Sequence, residues 1–397
     1  MENPMSSDPI VILGARRTPV GAFQGAFSST TSPQLGAVAI KAALEDSGAT
    51  AAQVDEVLMG CVLPAGLGQA PARQAALAAG LPISTPCQTI NKMCGSAMRT
   101  VMSGADQILA GSAQLVVAGG MESMTNAPYL LPKARAGYRM GHQEVLDHMF
   151  YDGLQSPWDG KLMGCFADNT AEKYGITRQM QDEFAAESVR RSVAAVNGGK
   201  FAAEVAPVTA KTRKGEALID RDETPFTLDV AKIPSLKPSF SKNGTVTPAS
   251  SSGISDGAAA LVLARESFAK THGLKPIARI LGYTSFAREP EWFTLAPVGA
   301  IQKLLSRLSW HPNDVDLWEI NEAFAVVAMA AIRDLELDYA KVNVNGGACA
   351  LGHPIGATGA RILTTLLYAL RERGKKRGIA SLCIGGGEAT ALAVELL

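Results

Sequence analysis

The chain has 397 residues, 47% of them hydrophobic and 19% charged, with Lys plus Arg and Asp plus Glu each numbering 37. Zero net charge without a long like-charge block speaks against nucleic-acid binding, and the short "RERGKKRG" at 371–378 reads as a helix end and turn. The length exceeds what one hydrophobic core usually organises, so two or more core units are expected.

The first residues, "MENPMSSDPIVILGARRTP", hold an apolar run of only four before charge intervenes. That is short of a signal peptide or a spanning helix, so no membrane association is expected. The last residues, "ATALAVELL", carry no address tag. Six cysteines (Cys61, Cys87, Cys94, Cys165, Cys349 and Cys383) form no C-x-x-C pair, and the histidines do not sit near them at zinc-finger spacing. No structural metal is expected, and the scattered thiols suit a reducing, cytoplasmic location.

Taken in order, "PIVILGA" (9–15) reads as a buried strand and "SPQLGAVAIKAALEDSG" (32–48) as a helix. Ser32 is its expected N-cap, Pro33 its first helical position and Gly48 its stop. In "TINKMCGSAMRTV" (89–101) small residues follow Cys94. A helix starting there would favour a thiolate through its dipole and free N–H groups, and the same amides could hold an oxyanion. A buried structural thiol is the other reading, and this stretch alone leaves both open. "AQLVVAGG" (113–120) then reads as a strand ending in glycines.

From about 125 to 250 the character changes to Pro, Lys, Arg and Gly, with one helix at 177–199 capped by Thr177. This reads as an inserted loop domain. "SFSKNGTVTPASSSGISDGAAALVLA" (239–264) re-enters the first core, and "GAIQKLLSRL" (299–308) is helical. In "WEINEAFAVVA" (318–328), Asn321 and Glu322 interrupt an apolar run. Asn321 is either a helix cap or a holder for a water or carbonyl. In "VNVNGGACALGHPIGATGARI" (342–362), glycines and alanines crowd around His353. No core packing requirement explains so many small residues near one imidazole, and they make sense if something must approach closely. "ATGARILTTLLYALRERG" (357–374) is a helix, and "IASLCIGGG" (379–387) a strand with Cys383 near its end, either a buried thiol or a general acid–base group.

Strand–helix alternation implies an α/β architecture with a largely parallel sheet. It also repeats. Leu44 and Leu305, Val54 and Val315, and Asp55 and Asp316 each lie 261 residues apart. Each Val-Asp pair is followed by a glycine-rich turn opening a helix, with Cys94 at the first turn and His353 at the second. Two duplicated halves packed about a pseudo-twofold axis would bring these turns together.

"NKMCGSAM", "GGMESM", "GQAPARQAAL", "NEAFA", "NGGACALGHPIGATG" and "CIGGGEA" resemble the thiolase signatures, in order and spacing, from about residue 9 to the C-terminus. The resemblance implies a duplicated α/β fold: two βαβαβαββ halves, mixed five-stranded sheets and a five-layered α-β-α-β-α core. It places the N-terminal half at 1–124 plus 247–276, a loop domain for coenzyme A and tetramer contacts at 125–246, and the C-terminal half at 277–397. The implied activity is acyl-CoA C-acetyltransferase: reversible Claisen condensation of two acetyl-CoA, or thiolysis in reverse, through an acyl-cysteine. A longer-chain 3-ketoacyl-CoA thiolase is the alternative. A non-catalytic acyl-CoA-binding protein is less favoured, and Cys383 argues against a β-ketoacyl synthase.

By the same resemblance Cys94 carries the acyl group, His353 activates it and Cys383 moves the α-proton. Asn321 holds an oxyanion-hole water, and the amides of Cys94 and Gly385 form the second hole. Ser252 would contact the pantetheine arm, Phe240 the nucleotide end, Phe324 the acyl end and Met163 the reacting thioester. Leu162 stands where short-chain biosynthetic members have histidine, and Phe293 where many bacterial members have methionine. Ser250 replaces a usual asparagine, and Glu388 and Ala389 a glycine-containing pair. Coenzyme A and acetyl-CoA would be substrates, no cofactor would be required, and a homotetramer (a dimer of dimers, joined through 125–141) is expected.

Overall fold

A computed structural model describes residues 8–212 and 215–397. Along β1 (Ile10–Arg17), Ile10 and Ile12 enter one hydrophobic core while Val11 and Leu13 enter another. A strand apolar on both faces is a strand covered on both faces. The chain continues through α1 (Ser32–Ser47), β2 (Glu56–Gly60), α2 (Pro71–Ala78), β3 (Cys87–Ile90), α3 (Ser96–Ala110) and β4 (Leu115–Ser123). An insertion with α4 (Met163–Tyr174), α5 (Arg178–Asn197) and the hairpin β5 (Val208–Thr212) and β6 (Gly215–Ile219) precedes the return strand β7 (Ser255–Arg265). The second half runs β8 (Ala278–Ala287), α6 (Ala296–Leu308), β9 (Leu317–Ile320), α7 (Ala325–Asp334), α8 (Thr358–Glu372), β10 (Arg377–Ile384) and β11 (Glu388–Leu396).

The first half pairs its strands in the order β3-β2-β4-β7-β1, and the second in the order β9-β10-β11-β8. Pairing is parallel between β2 and its two neighbours and between β9 and β10, and antiparallel elsewhere. Two residue pairs, Val11–Arg279 and Ile12–Ala278, join β1 to β8 and so link the sheets. Helices α3 and α8 lie between the sheets in one shared core, with Met98, Val101, Leu363 and Leu366 packed against Ile12, Val116, Leu382 and Leu392. Helices α1 and α2 cover the outer face of the first sheet, and α6 and α7 that of the second. The result is the five-layered α-β-α-β-α stack.

The duplication extends to single hydrogen bonds. Asp55 Oδ2 accepts from the Gln114 and Leu115 amides at the start of β4. Asp316 Oδ2 accepts from the Lys376 and Arg377 amides at the start of β10. In the second half the fifth strand position shrinks to one parallel bridge, Trp318–Val342. Asn343, at φ 47°, stands in for the missing strand: its side chain bonds both the N–H and the C=O of Ile320.

Two local expectations shift. The N-cap of α1 is Thr31, one residue before Ser32, with Gln34 Oε1 accepting from its N–H. Ser32 is buried and accepts from the Ser123 amide. Gly119 and Gly120 lie inside β4 rather than at its end, and they are required there by close packing: a Cβ on Gly119 would collide with the Ala259 carbonyl and one on Gly120 with that of Gly356. Thr177 caps α5 as expected. The insertion is fastened to β1 by a buried ion pair network, in which Arg17 binds Glu204 at 2.5 Å and Asp222 at 2.7 Å.

Candidate active site

Cys94 lies two residues before α3, after Met93 at φ 48°. That left-handed conformation is costly for a methionine and persists only where surroundings impose it. Here Asn91 Oδ1 accepts from the Met93 amide, while Ser96 Oγ accepts from Lys92 N–H and donates to the Met93 carbonyl. Gly95 then lets Ile384, at the end of β10, press onto the turn where any Cβ would collide. The turn holding the thiol is therefore seated by the opposite half. Glu388, one of the departures noted above, forms an ion pair with Lys92 and adds a second link between the halves.

The thiol is not the standing thiolate that a helix dipole would favour. Burial pushes Cys94 up to about 11, while the Gly385 amide and its own amide pull the other way. A thiol in that state would need a base before it could attack. His353 meets that description. It is 5% exposed, and its Nδ1 lies 2.6 Å from Thr358 Oγ1, which itself donates to the Pro354 carbonyl at 2.9 Å. With that hydroxyl proton committed, Nδ1 must carry the ring N–H, leaving Nε2 as a bare lone pair. Nε2 is buried without a hydrogen-bond partner in the structure. Burial first, and Arg361 second, push His353 down to about 3, so the ring is neutral.

Cys383 sits near the end of β10, fully buried beside Phe293 and Phe324. Burial pushes its thiol well above the usual range, and the proximity of Cys94 adds to this. Asn321 is 1% exposed, and its side-chain amide finds no partner at either end. It is not a helix cap, since α7 begins at Ala325. A buried amide with both ends open is a place for a water or a carbonyl oxygen. Its neighbour Glu322 is anchored by Ser188, Asn343 and the Cys349 amide.

A hollow of about 340 Å³ leads to His353, lined by Leu162, Met163, Phe240, Ser252 and Phe324 among others. Phe240 covers Gly164 and packs edge-on to Phe324 at 5.9 Å. Phe293 does not reach this hollow; it is buried behind Phe324, edge-on at 6.4 Å. Met163 Sδ also comes within 3.5 Å of where a Gly385 side chain would begin, so the sulfur lies beside that glycine. Ser250 Oγ accepts from the Thr247 amide and shapes the loop that presents Ser252.

The small residues around His353 do admit a close approach, and core packing accounts for several of them after all. What approaches them is the other half of the chain. The Gly356 carbonyl packs on Gly60 and Gly120, and Gly359 lies against the Met98 amide where a Cβ would collide. The sequence reading also missed Thr358, which orients the imidazole; its place five residues after His353 was the available signal. All six cysteines are free. Among the described residues, no helix is long and apolar enough to cross a membrane.

Comparisons with known proteins give the family. The thiolase N-terminal domain matches residues 10–267, and the thiolase C-terminal domain residues 274–396. An acetyl-CoA acetyltransferase of Cupriavidus necator is 50% identical over 97% of this chain and 99% of its own. Another, from Escherichia coli (strain K12), is 50% identical over 98% and 99%. A crystal structure of the Bacillus anthracis acetyl-CoA acetyltransferase superposes with a TM-score of 0.96 at 42% identity, covering 98% of this chain and 99% of that one. Matched in both halves and along nearly the full length of its relatives, the chain belongs to the thiolase family.

Proposed function

We infer that the protein is an acetyl-CoA C-acetyltransferase that works through an acyl-Cys94 intermediate. The observation that carries this is the complementary state of two neighbouring turns: a protonated thiol, and a neutral imidazole whose Nε2 has no other partner. His353 takes the Cys94 proton as sulfur attacks the thioester carbonyl, and returns it to the departing coenzyme A sulfur. The amides of Cys94 and Gly385 receive the oxyanion of that step. The Cys383 thiol then gives its proton to His353, neutral again, and the thiolate so formed takes an α-proton from a second acetyl-CoA, while the protonated His353 later restores the proton of Cys94 as it is released. The resulting enolate attacks the acetyl-cysteine carbonyl, forming the new carbon–carbon bond and releasing Cys94. A water on Asn321, together with His353, holds the enolate oxygen.

The residues lining the hollow suit a pantetheine arm, with Ser252 along it, Phe240 toward the nucleotide end, and Leu162, Met163 and Phe324 around the thioester. Phe293 sets the acyl end indirectly, by backing Phe324. Coenzyme A and acetyl-CoA are the substrates, and the chemistry requires no metal or redox cofactor. Three further assignments belong to this reading: a loop domain at 125–246 inserted into the N-terminal half, a cytoplasmic location, and a homotetramer. Exposed Tyr129, Leu131 and Met140 support tetramer contacts through 125–141.

The test is thiolysis of 3-ketoacyl-CoAs of increasing length, with peptide mass mapping after exposure to acetyl-CoA. Turnover centred on acetoacetyl-CoA and an acetyl adduct on Cys94 are expected. A Cys94→Ala variant with full activity would end the assignment.

A further inference from the structure

Strand β4 is apolar until it reaches Glu122, which is fully buried. Its Oε2 accepts from the Val62 and Gly356 amides, both at 2.9 Å. Oε1 accepts from the Leu63 amide at 3.2 Å, with the Cys61 thiol at 3.6 Å. Among the described residues no basic side chain pairs with it, so these donors alone offset the cost of burying its charge. Val62 and Leu63 follow β2 in the first half, whereas Gly356 belongs to the second-half turn between His353 and α8. Glu122 also adds its charge to the field at Cys94.

The duplication shows that this carboxylate is not a requirement of the scaffold. Counted from the starts of α3 and α8, Cys94 corresponds to Gly356. Counted from the starts of β4 and β10, Glu122 corresponds to Ile384. Ile384 packs on Gly95 beside Cys94, and Glu122 packs on Gly356, its Oε2 2.5 Å from where a Cβ would stand. The two contacts fall one residue apart across the pseudo-twofold axis, since Gly95 corresponds to Ala357, so neighbouring positions of equivalent turns are met once by a methyl group and once by a charge. Packing alone is satisfied by isoleucine.

We propose that Glu122 is a positioning residue for acyl transfer: its ionised carboxylate holds the Gly356 amide, and with it the turn bearing His353, against the segment that faces Cys94. The proposal rests on the assignment of Cys94 and His353 made above. Burial pushes the Glu122 carboxyl up to about 7, against the pull of the Val62 and Leu63 amides, so it changes charge near neutrality. The titratable groups around it are Cys61 after β2, Cys94 before α3, His353 beyond Gly356, and Asp256 on β7. Cys61 is raised by burial out of the physiological range. Cys94, pushed up to about 11, and His353, pushed down to about 3, also keep their protonation state around neutrality. Asp256, pushed up to about 6 by burial, titrates lower. Protonation of Glu122 removes part of its acceptor capacity, so turnover falls as pH drops through about 7.

The test is kcat for acetoacetyl-CoA thiolysis against pH in the wild type and Glu122→Gln, with adduct mapping on Cys94. The wild type is expected to lose kcat below an inflection near pH 7. At higher pH Glu122→Gln lowers kcat by about tenfold or more, keeps KM for acetoacetyl-CoA within about twofold, and lacks the inflection. Wild-type kcat in Glu122→Gln, or an inflection that survives the substitution, overturns the proposal. Should circular dichroism show that Glu122→Gln does not fold, the wild-type profile decides, and a profile flat through neutrality overturns it. Absence of any adduct on Cys94 of the wild type would instead remove the nucleophile assignment on which the proposal stands.

Discussion

Thr358 Oγ1 lies 2.6 Å from His353 Nδ1 and gives its own proton to the Pro354 carbonyl. One hydroxyl thus fixes both the tautomer and the tilt of the imidazole, and leaves Nε2 free to accept a proton. Thr358→Val keeps the shape and removes the hydrogen bond, and it should lower kcat by roughly tenfold to a hundredfold. Thr358→Ser should recover most of the loss. Steady-state thiolysis measures both, and an unimpaired valine variant would show that packing alone orients the ring.

The neutral state of His353 has a consequence for acid stability. Burial, with Arg361 second, lowers it from 6.5 to about 3 in the folded protein. Below about 6.5 the unfolded chain binds a proton that the folded one refuses until about 3, so stability falls as pH drops through that window. Urea midpoints measured across it should decline less steeply in His353→Gln than in the wild type. Identical slopes would contradict the assignment.

Gly359 is where the two central helices touch. Gly359→Ala would drive a methyl group into the Met98 amide, backbone that has no rotamer to yield. Separation of α8 from α3 should cost about 1–3 kcal/mol. Calorimetry would register it as a lower Tm, and a variant melting with the wild type would refute the contact.

Arg17 is the fully buried cation between β1 and the insertion. Arg17→Leu leaves Glu204 and Asp222 without their counter-charge and should destabilise the fold by about 3–5 kcal/mol. Adding Glu204→Gln and Asp222→Asn should recover part of that loss. Denaturant titration of the single and triple variants checks both statements.

Much of this architecture is legible along the chain, because each half repeats short-range patterns. The Val-Asp pairs at 54–55 and 315–316 recur because each Asp ties down the start of a neighbouring strand. Turns rich in small residues mark Cys94 and His353. Glu122 is another matter: one charge beside an apolar run reads as a strand end, and nothing nearby reveals the amide of Gly356, 234 residues away. The glycines near His353 mislead for the same reason, since their partners Gly60, Met98 and Gly120 belong to the other half. Phe293 reads as a pocket residue, but only three-dimensional packing puts Phe324 in front of it.

The glycine contacts between the halves also constrain inheritance. Gly95 is moulded to Ile384, and Gly60 and Gly120 to the Gly356 carbonyl, so a methyl gained in one half must be answered by a change in the other. The halves descend as matched castings. Joining the first half of one lineage to the second half of another sets mismatched surfaces together at the very seam where the turns of Cys94 and His353 meet.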